Sequence, residues 1–328
     1  MIGIGHVVET LTLARILIER GGAAVIWVSE ETPVSIMGQF PLQVGAIENF
    51  GIPRLRRLAA EIHERGIQGV VTNFRSITNE QVDVLKKEEL RVLCIDEWGN
   101  RHLNCNAVVN TSPVEEYHCY SSDNPDFRLY GGVAYLSLSG EFQKVHCLER
   151  YHKGPICSIA VSMGGVDRTG ATIRLVEALL MTGSNYILHI VIGPGFAHRQ
   201  KLESMLAAVP AGRFEVHENL SSLADLFFQC DVAFTAGGNT LAELACAGTP
   251  ALVVSEDLHE EKQGKAFESR GFGQWIGRGT SISQEQICHA LVVFDDPEIR
   301  NQQCKTGKAL VDGKGALRIL DAASRMYR

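Results

Sequence analysis

The chain alternates helical periods that carry one apolar face with short runs that are apolar throughout. Residues 11–20 put Leu13, Leu17 and Ile18 on one face and stop at Gly21-Gly22, and 23–28 follows as a short buried strand. The unit recurs as a helix over 54–64 closed by Gly66 with a strand at 69–71, and as a helix over 79–88 with a strand at 91–95. Strands that do not alternate, separated by amphipathic helices, imply a parallel sheet covered on both faces. The pattern restarts after Lys153-Gly154-Pro155, with strands over 156–161, 187–192, 214–216, 231–234 and 251–254. Helices are predicted between them over 169–182, 222–229 and 240–247, and the Ser222/Asp225 spacing predicts a reciprocal cap opening the second of these. The expected class is α/β, with two Rossmann-like doubly wound lobes over 1–150 and 151–328 and a substrate cleft between them. A doubly wound lobe normally opens on a buried strand, yet Gly3-Ile4-Gly5-His6 follows Met1 almost at once. The first lobe is therefore expected to be truncated or one strand short.

Length agrees with this division, since 328 residues is about two domains at ~150 residues each. Thirty-one Lys and Arg against 38 Asp and Glu give a formal charge of −7, which argues against general attraction to nucleic acid or anionic lipid. Arg54, Arg56, Arg57 and Arg65 are read as a solvated helix face. Nine scattered cysteines without Cys-x-x-Cys suggest neither a zinc site nor a disulfide framework, and a reducing cytoplasm is the expected setting. No apolar run reaches the ~18 residues of a bilayer span, so no stable membrane insertion is expected. The 11 histidines show no His-x-x-x-His spacing, and neither metal nor cofactor is expected.

Chemistry concentrates where strands run into glycine turns. In Phe234-Thr235-Ala236-Gly237-Gly238-Asn239-Thr240, the glycines leave the turn open, and the first amides of the next helix have no internal partner, so they suit a diphosphate. Glu243, one turn later, can accept hydrogen bonds from a ribose diol. Ser162-Met163-Gly164-Gly165-Val166-Asp167 is a second strand-to-glycine turn, and His259 and Gln263 follow the strand over 251–254. In the first lobe, Gly3-x-Gly5-His6 puts an imidazole at a helix start, where it can act as a general base. Asp96, Asn100 and Arg101 follow the 91–95 strand, on the edge where α/β proteins bind ligands.

These segments together resemble a known family. Gly3-Ile4-Gly5-His6-Val7-Val8-x-x-Leu11-Thr12-Leu13-Ala14 is similar to the glycine-histidine motif of the UDP-sugar hydrolases of pseudaminic acid biosynthesis and of the related spore-coat polysaccharide proteins. Ile95-Asp96-Glu97-x-x-Asn100-Arg101, Tyr135-x-x-Leu138-x-x-Glu141-Phe142, Gly164-Gly165-x-Asp167 and Ala236-Gly237-Gly238-Asn239-Thr240-x-x-Glu243 follow in the family's order. The later half, with His259 to Gln263, also resembles the MurG-like glycosyltransferases.

The resemblance implies a GT-B arrangement, with the nucleotide in the C-terminal lobe and a last helix over 317–326 packing back on the N-terminal lobe. It implies hydrolysis of a UDP-activated 2,4-diacetamido-2,4,6-trideoxy-hexose, a step toward a nonulosonic acid. His6 would be catalytic, with Gly5, Glu9, Asp96, Asn100, Arg101 and Tyr135 on the sugar or acceptor side. Gly164, Gly165, Val216, His217, Gly237, Gly238, Asn239, Thr240, Glu243, His259 and Gln263 would surround the nucleotide, with backbone at Val216 and His217 meeting the base. The alternatives are a GT-B transferase acting on a saccharide or lipid acceptor, and a non-catalytic nucleotide-sugar-binding protein. Glu9 and Ser139 stand where the hydrolases carry arginine, and Thr72 or Asn73 where they carry an acid, changes expected to alter which sugar or acceptor is tolerated.

Overall fold

The computed structural model describes residues 5–29, 43–47, 51–73, 77–183 and 185–326, so Gly3 and the question of a strand before it lie outside the described residues. The chain forms two compact units, Met1–Leu138 with Lys314–Arg328, and Ser139–Gly313.

In the first unit, α1 (Gly5–Glu19), β1 (Val25–Ser29), β2 (Gln43–Ile47), α2 (Ile52–Glu64), β3 (Gly69–Thr72), α3 (Asn79–Lys87) and β4 (Arg91–Ile95) are followed by β5 (Arg101–His102), β6 (Ala107–Asn110), β7 (Tyr120–Ser121) and β8 (Arg128–Gly131). The strands pair in parallel, in the orders β1-β2, β3-β4-β6-β8 and β5-β7. β4 explains its own sequence, because both of its faces are covered. Val92 and Cys94 pack with Val108, Leu55, Leu58 and Ile62 of α2, and Val82 and Leu85 of α3. Leu93 and Ile95 pack on the opposite side with Ala107, Val109 and Leu13 of α1. That second layer is completed by Ala316, Ile319 and Ala322 of the C-terminal helix (Gly315–Arg325), which belongs to this unit.

α1 begins at Gly5, six residues before the predicted start at 11. Its polar stretch is helix-compatible because Thr10 and Thr12 return their hydroxyls to the carbonyls of His6 and Val8, at 2.8 and 2.9 Å. α3 opens with a reciprocal cap between Thr78 and Gln81, two residues that single out its start in the sequence.

The second unit contains α4 (Gly140–His146), β9 (Ser158–Ser162), α5 (Ala171–Met181), β10 (Ile187–Ile192), α6 (Arg199–Leu206), β11 (Phe214–Glu218), α7 (Ala224–Gln229), β12 (Val232–Thr235), α8 (Asn239–Ala247), β13 (Ala251–Ser255), α9 (Leu258–Glu268), β14 (Gln274–Arg278), α10 (Gln284–Phe294) and α11 (Pro297–Leu310). Its six strands are all parallel, in the order β11-β10-β9-β12-β13-β14. Counted within the unit this is 3-2-1-4-5-6, the doubly wound order, whose direction of winding reverses between β9 and β12. The unit begins at Ser139 rather than at 151 because α4 is part of it. Phe142 packs against Phe227 of α7, Cys246 donates its thiol to the Phe142 carbonyl, and His146 contacts the Cys246 carbonyl at 3.3 Å. The predicted reciprocal cap at Ser222 and Asp225 does not form. The Ser222 hydroxyl accepts from the amide of Ala224 two residues on, and α7 starts there instead.

The C-terminal helix starts against the chain preceding α4. A Cβ added at Gly315 would lie 2.0 Å from the Leu136 carbonyl oxygen. Gly315→Ala is therefore expected to cost about 1–3 kcal/mol of stability. The check is the urea midpoint at constant m-value, and an unshifted midpoint would show that Gly315 is not held against Leu136.

Candidate functional site

The reversal of winding between β9 and β12 brings two glycine turns to the carboxyl edge of one sheet. Ser162 and Thr235, the last residues of β9 and β12, are paired neighbours and buried, and Thr235 Oγ1 has no hydrogen-bond partner among the described residues. The two turns end in different states. After β9, the buried Asp167 adopts a positive φ of 48° and its carboxylate accepts the amides of Ala171 and Thr172 at 2.8 and 2.9 Å. The start of α5 is thus filled by the chain's own anion, and the helix begins at Ala171 rather than at 169. Before α8 the corresponding N-cap is Gly238, which has no side chain to offer. The positive dipole end of α8 there favours an external anion.

The glycines explain how that end stays open. A Cβ on Gly237 would fall 2.1 Å from the Glu260 carbonyl oxygen, so the turn rests on the backbone of α9 and admits no side chain. A Cβ on Gly238, Gly164 or Gly165 would meet nothing within 4 Å. Gly164 needs its residue type for conformation, with φ 78°, whereas Gly238 lies in the extended region, with φ −86°, that any residue adopts. The Gly164-Gly165 turn is braced from outside: Gly195 donates its amide to the Gly165 carbonyl at 2.8 Å. Asn239 and Thr240 are the first residues of α8, and both are half-buried.

Glu243 follows one turn into α8. Burial pushes its carboxyl up to about 7, with a hydrogen bond from Thr240 pulling the other way. A carboxyl in this state gains from an additional hydrogen-bond donor, which is what a sugar diol offers. The loop after β13 adds Glu256, which Arg168 from the β9 loop meets at 3.0 Å, and Asp257, which Arg168 meets at 3.3 Å. Glu256 Oε1 is buried without a hydrogen-bond partner among the described residues. Burial also pushes the Glu260 carboxyl up to about 7, although it accepts the Glu256 amide at 2.7 Å. In α9, the Gln263 amide nitrogen lies 2.6 Å from His259 Nε2, so these two predicted site residues are joined to each other. Arg168 and Glu256 were not singled out by the sequence, because their partnership depends on loops that are 88 residues apart meeting at one sheet edge.

Val216 and His217 sit in the edge strand β11, two strands from the reversal point. Val216 is exposed, and the His217 ring stacks on that of His189 with centroids 5.4 Å apart.

In the first unit, the start of α1 and the end of β3 assemble a second constellation. Asn73 donates its amide N–H groups to the His6 carbonyl at 3.2 Å and to Glu9 Oε2 at 3.0 Å. Two acceptors fix the orientation of the amide, so its oxygen faces His6 Nδ1 at 2.9 Å and the ring nitrogen donates. His6 is thereby held as the tautomer whose Nε2 is basic. Glu9 is buried and serves this network. Asn73 takes the orienting position although it carries no charge, a role the sequence could not show because its partner His6 is 67 residues away.

Asp96, also buried, accepts from Arg101 at 2.9 Å, from the Tyr120 hydroxyl at 2.5 Å and from the Gly99 amide at 3.3 Å. Burial, with the Asp96 carboxylate alongside, pushes the Tyr120 hydroxyl above its ordinary range. Arg101 also donates to the Ile77 carbonyl, so Asp96 and Arg101 brace the loop after β4. Asn100 is exposed, with a left-handed φ of 53°. Tyr135 packs beside Tyr130, centroids 5.8 Å apart, against the layer that holds the C-terminal helix. Gly5 contributes the first residue of α1.

No family model matches the chain. It is 23% identical over 330 residues to the spore coat polysaccharide biosynthesis protein SpsG of Bacillus subtilis (strain 168), covering 99% of this chain and 95% of that protein. It is also 23% identical over 321 residues to the UDP-N-acetylglucosamine–N-acetylmuramyl-(pentapeptide) pyrophosphoryl-undecaprenol N-acetylglucosamine transferase of Thiobacillus denitrificans, covering 89% of this chain and 87% of that one. Among solved structures, Acinetobacter baumannii MurG superposes with a TM-score of 0.70 at 14% identity, over 98% of this chain and 96% of that one. An S. aureus MnaA–UDP co-structure gives 0.65 at 12% identity, over 95% and 91%. The fold is α/β of the GT-B type, as the sequence predicts. The expected likeness to spore-coat polysaccharide and MurG-like proteins is supported, whereas none of the proteins just named is called a hydrolase.

The state of Glu243 has a measurable consequence. Its carboxyl ionises near 4.5 when unfolded and near 7 when folded, so ionisation opposes the fold increasingly between these values, by up to about 3 kcal/mol. Glu243→Gln is expected to match wild type in unfolding free energy below pH 4.5 and to exceed it above pH 7. Parallel stability curves across that window would show that the carboxyl is not desolvated.

Proposed function

We propose that the protein is a nucleotide-sugar-using glycosyltransferase: it takes a UDP-activated sugar and moves the sugar to a saccharide or lipid acceptor. The observation that carries the reading is the glycine turn into α8, where Gly238 leaves open space before the positive end of the helix, with the raised carboxyl of Glu243 one turn away. Helix amides and dipole would stabilise the charge that develops on the diphosphate as the anomeric C–O bond breaks. Glu243 would accept the ribose hydroxyls, backbone at Val216 and His217 would meet the base, and His259 and Gln263 would border the phosphates and sugar. Gly164 and Gly165 would leave room for the donor; the Asp167 carboxylate argues against a phosphate on α5 itself. His6 Nε2 would take the proton of the attacking hydroxyl, with Asn73 holding the ring. Among named relatives, the Thiobacillus protein is by its name a UDP-N-acetylglucosamine-using transferase, and MnaA is solved with UDP, which supports a uridine nucleotide.

A second reading is hydrolysis of a UDP-activated amino-deoxy sugar. It draws support from the His6–Asn73 pair, because an oriented imidazole can activate water as readily as an acceptor hydroxyl. Among the described residues no helix is long and apolar enough to cross a membrane, so in the transferase reading a lipid acceptor would be met at its head group.

Calorimetry with UDP, CDP and GDP tests the donor site. Gly238→Ala is expected to fold with wild-type stability, since the new methyl meets no atom and its backbone is unstrained, yet to weaken UDP binding by about 10-fold or more. Undiminished affinity would remove α8 from the nucleotide site. His6→Ala should retain UDP affinity and lose turnover by about 10²–10⁴-fold, the usual contribution of a general base. A panel of UDP-sugars assayed without acceptor separates the readings: a transferase releases little UDP until an acceptor is supplied, and a hydrolase releases it at once.

A further inference from the structure

Outside the donor site, the pairing of β10 with the edge strand β11 sets His189 beside Glu215 and Val191 beside His217. Residues two apart on a strand share a face, so the two histidines and the glutamate project from one side of the sheet. His189 Nδ1, His217 Nε2 and Glu215 Oε2 form a triangle with sides of 3.1, 3.5 and 3.6 Å. Four ligands at the ~2.0–2.1 Å bond lengths of zinc stand about 3.4 Å from each other, so these atoms already occupy one face of such a tetrahedron. The donor set has the right chemistry: two imidazoles and one carboxylate suit a borderline divalent transition metal better than calcium or magnesium, which prefer oxygen.

We infer that His189, Glu215 and His217 bind a divalent transition-metal ion of the zinc type, with water in the fourth position. The histidine side chains are 13% and 19% exposed, so the imidazoles are held in place, while the 61% exposed Glu215 leaves the cation a path from solvent. The site ties the edge strand to its neighbour and stands two strands away from the reversal between β9 and β12. It shares only His217 with the proposed nucleotide site, where that residue would give the base its backbone and the metal its side chain. The absence of His-x-x-x-His did not foretell this, because the ligands come from neighbouring strands and two of them are 28 residues apart in sequence.

The test uses the full chain, stripped with a chelator and titrated with Zn2+ by calorimetry and with Co2+ by visible absorption. One equivalent of Zn2+ and the strong visible bands of four-coordinate cobalt, without near-ultraviolet thiolate bands, are expected. Glu215→Gln, at an exposed position that should not disturb folding, is expected to weaken Zn2+ binding at least about 10-fold, because loss of even an outer-shell partner usually costs that much. His189→Ala should abolish the cobalt bands, while UDP affinity stays at its wild-type value in both variants. Absence of stoichiometric binding, thiolate bands pointing to the cysteines, or affinities unchanged in both variants would overturn the assignment and leave a hydrogen-bonded histidine pair.

Discussion

Everything in the second unit turns on the amides that a helix cannot satisfy for itself. Each α-helix begins with N–H groups that need an outside partner, and a parallel doubly wound sheet lines several such beginnings along one edge. The chain resolves the two central ones in opposite ways. Asp167 bends into a left-handed conformation to put its carboxylate on α5, closing that end from within. The residue before α8 is a glycine, which has no side chain to turn onto the helix and leaves open space there. One helix end is met by a carboxylate of the chain, and at the other a glycine stands in the N-cap position.

The surroundings of α8 are consistent with that division. Gly237 is committed to packing, pressed against the Glu260 carbonyl, while Gly238 is committed to openness. Burial raises both Glu243 and Glu260 toward neutrality, which lowers the negative charge that would otherwise repel a diphosphate. Arg168 is engaged by Glu256 and Asp257, so its charge is matched by acids. In the proposed reading, recognition of an anion here would rest on backbone dipoles more than on side-chain charge, in keeping with a chain whose net charge is −7.

In the first unit the governing constraint is tautomeric. An asparagine whose nitrogen faces a carbonyl and a carboxylate must turn its oxygen to His6, and that choice assigns the imidazole proton to Nδ1. A neutral amide therefore suffices to orient the ring when Glu9 anchors it from behind. Glu9 also lies beside the ring itself, its carboxylate 4.0 Å from His6 Nδ1.

Periodicity alone carried the α/β class, since β4 can be apolar from Val92 to Ile95 only if both faces are covered. The glycine turns and Glu243 were legible too, because strand, small residues and helix follow each other locally. Other features were not local. The boundary at Ser139 depends on Phe142 meeting Phe227, and the C-terminal helix belongs to the first unit through Ile319 and Ala322. Asn73 reaches His6 across 67 residues, and His189 reaches His217 only because β10 and β11 pair in one register. Sequence determined what each segment is, because backbone preference and hydrophobic period act over a few residues. Tertiary structure alone decided which side chains share a proton or converge on a point, because those relations are set by strand order and register.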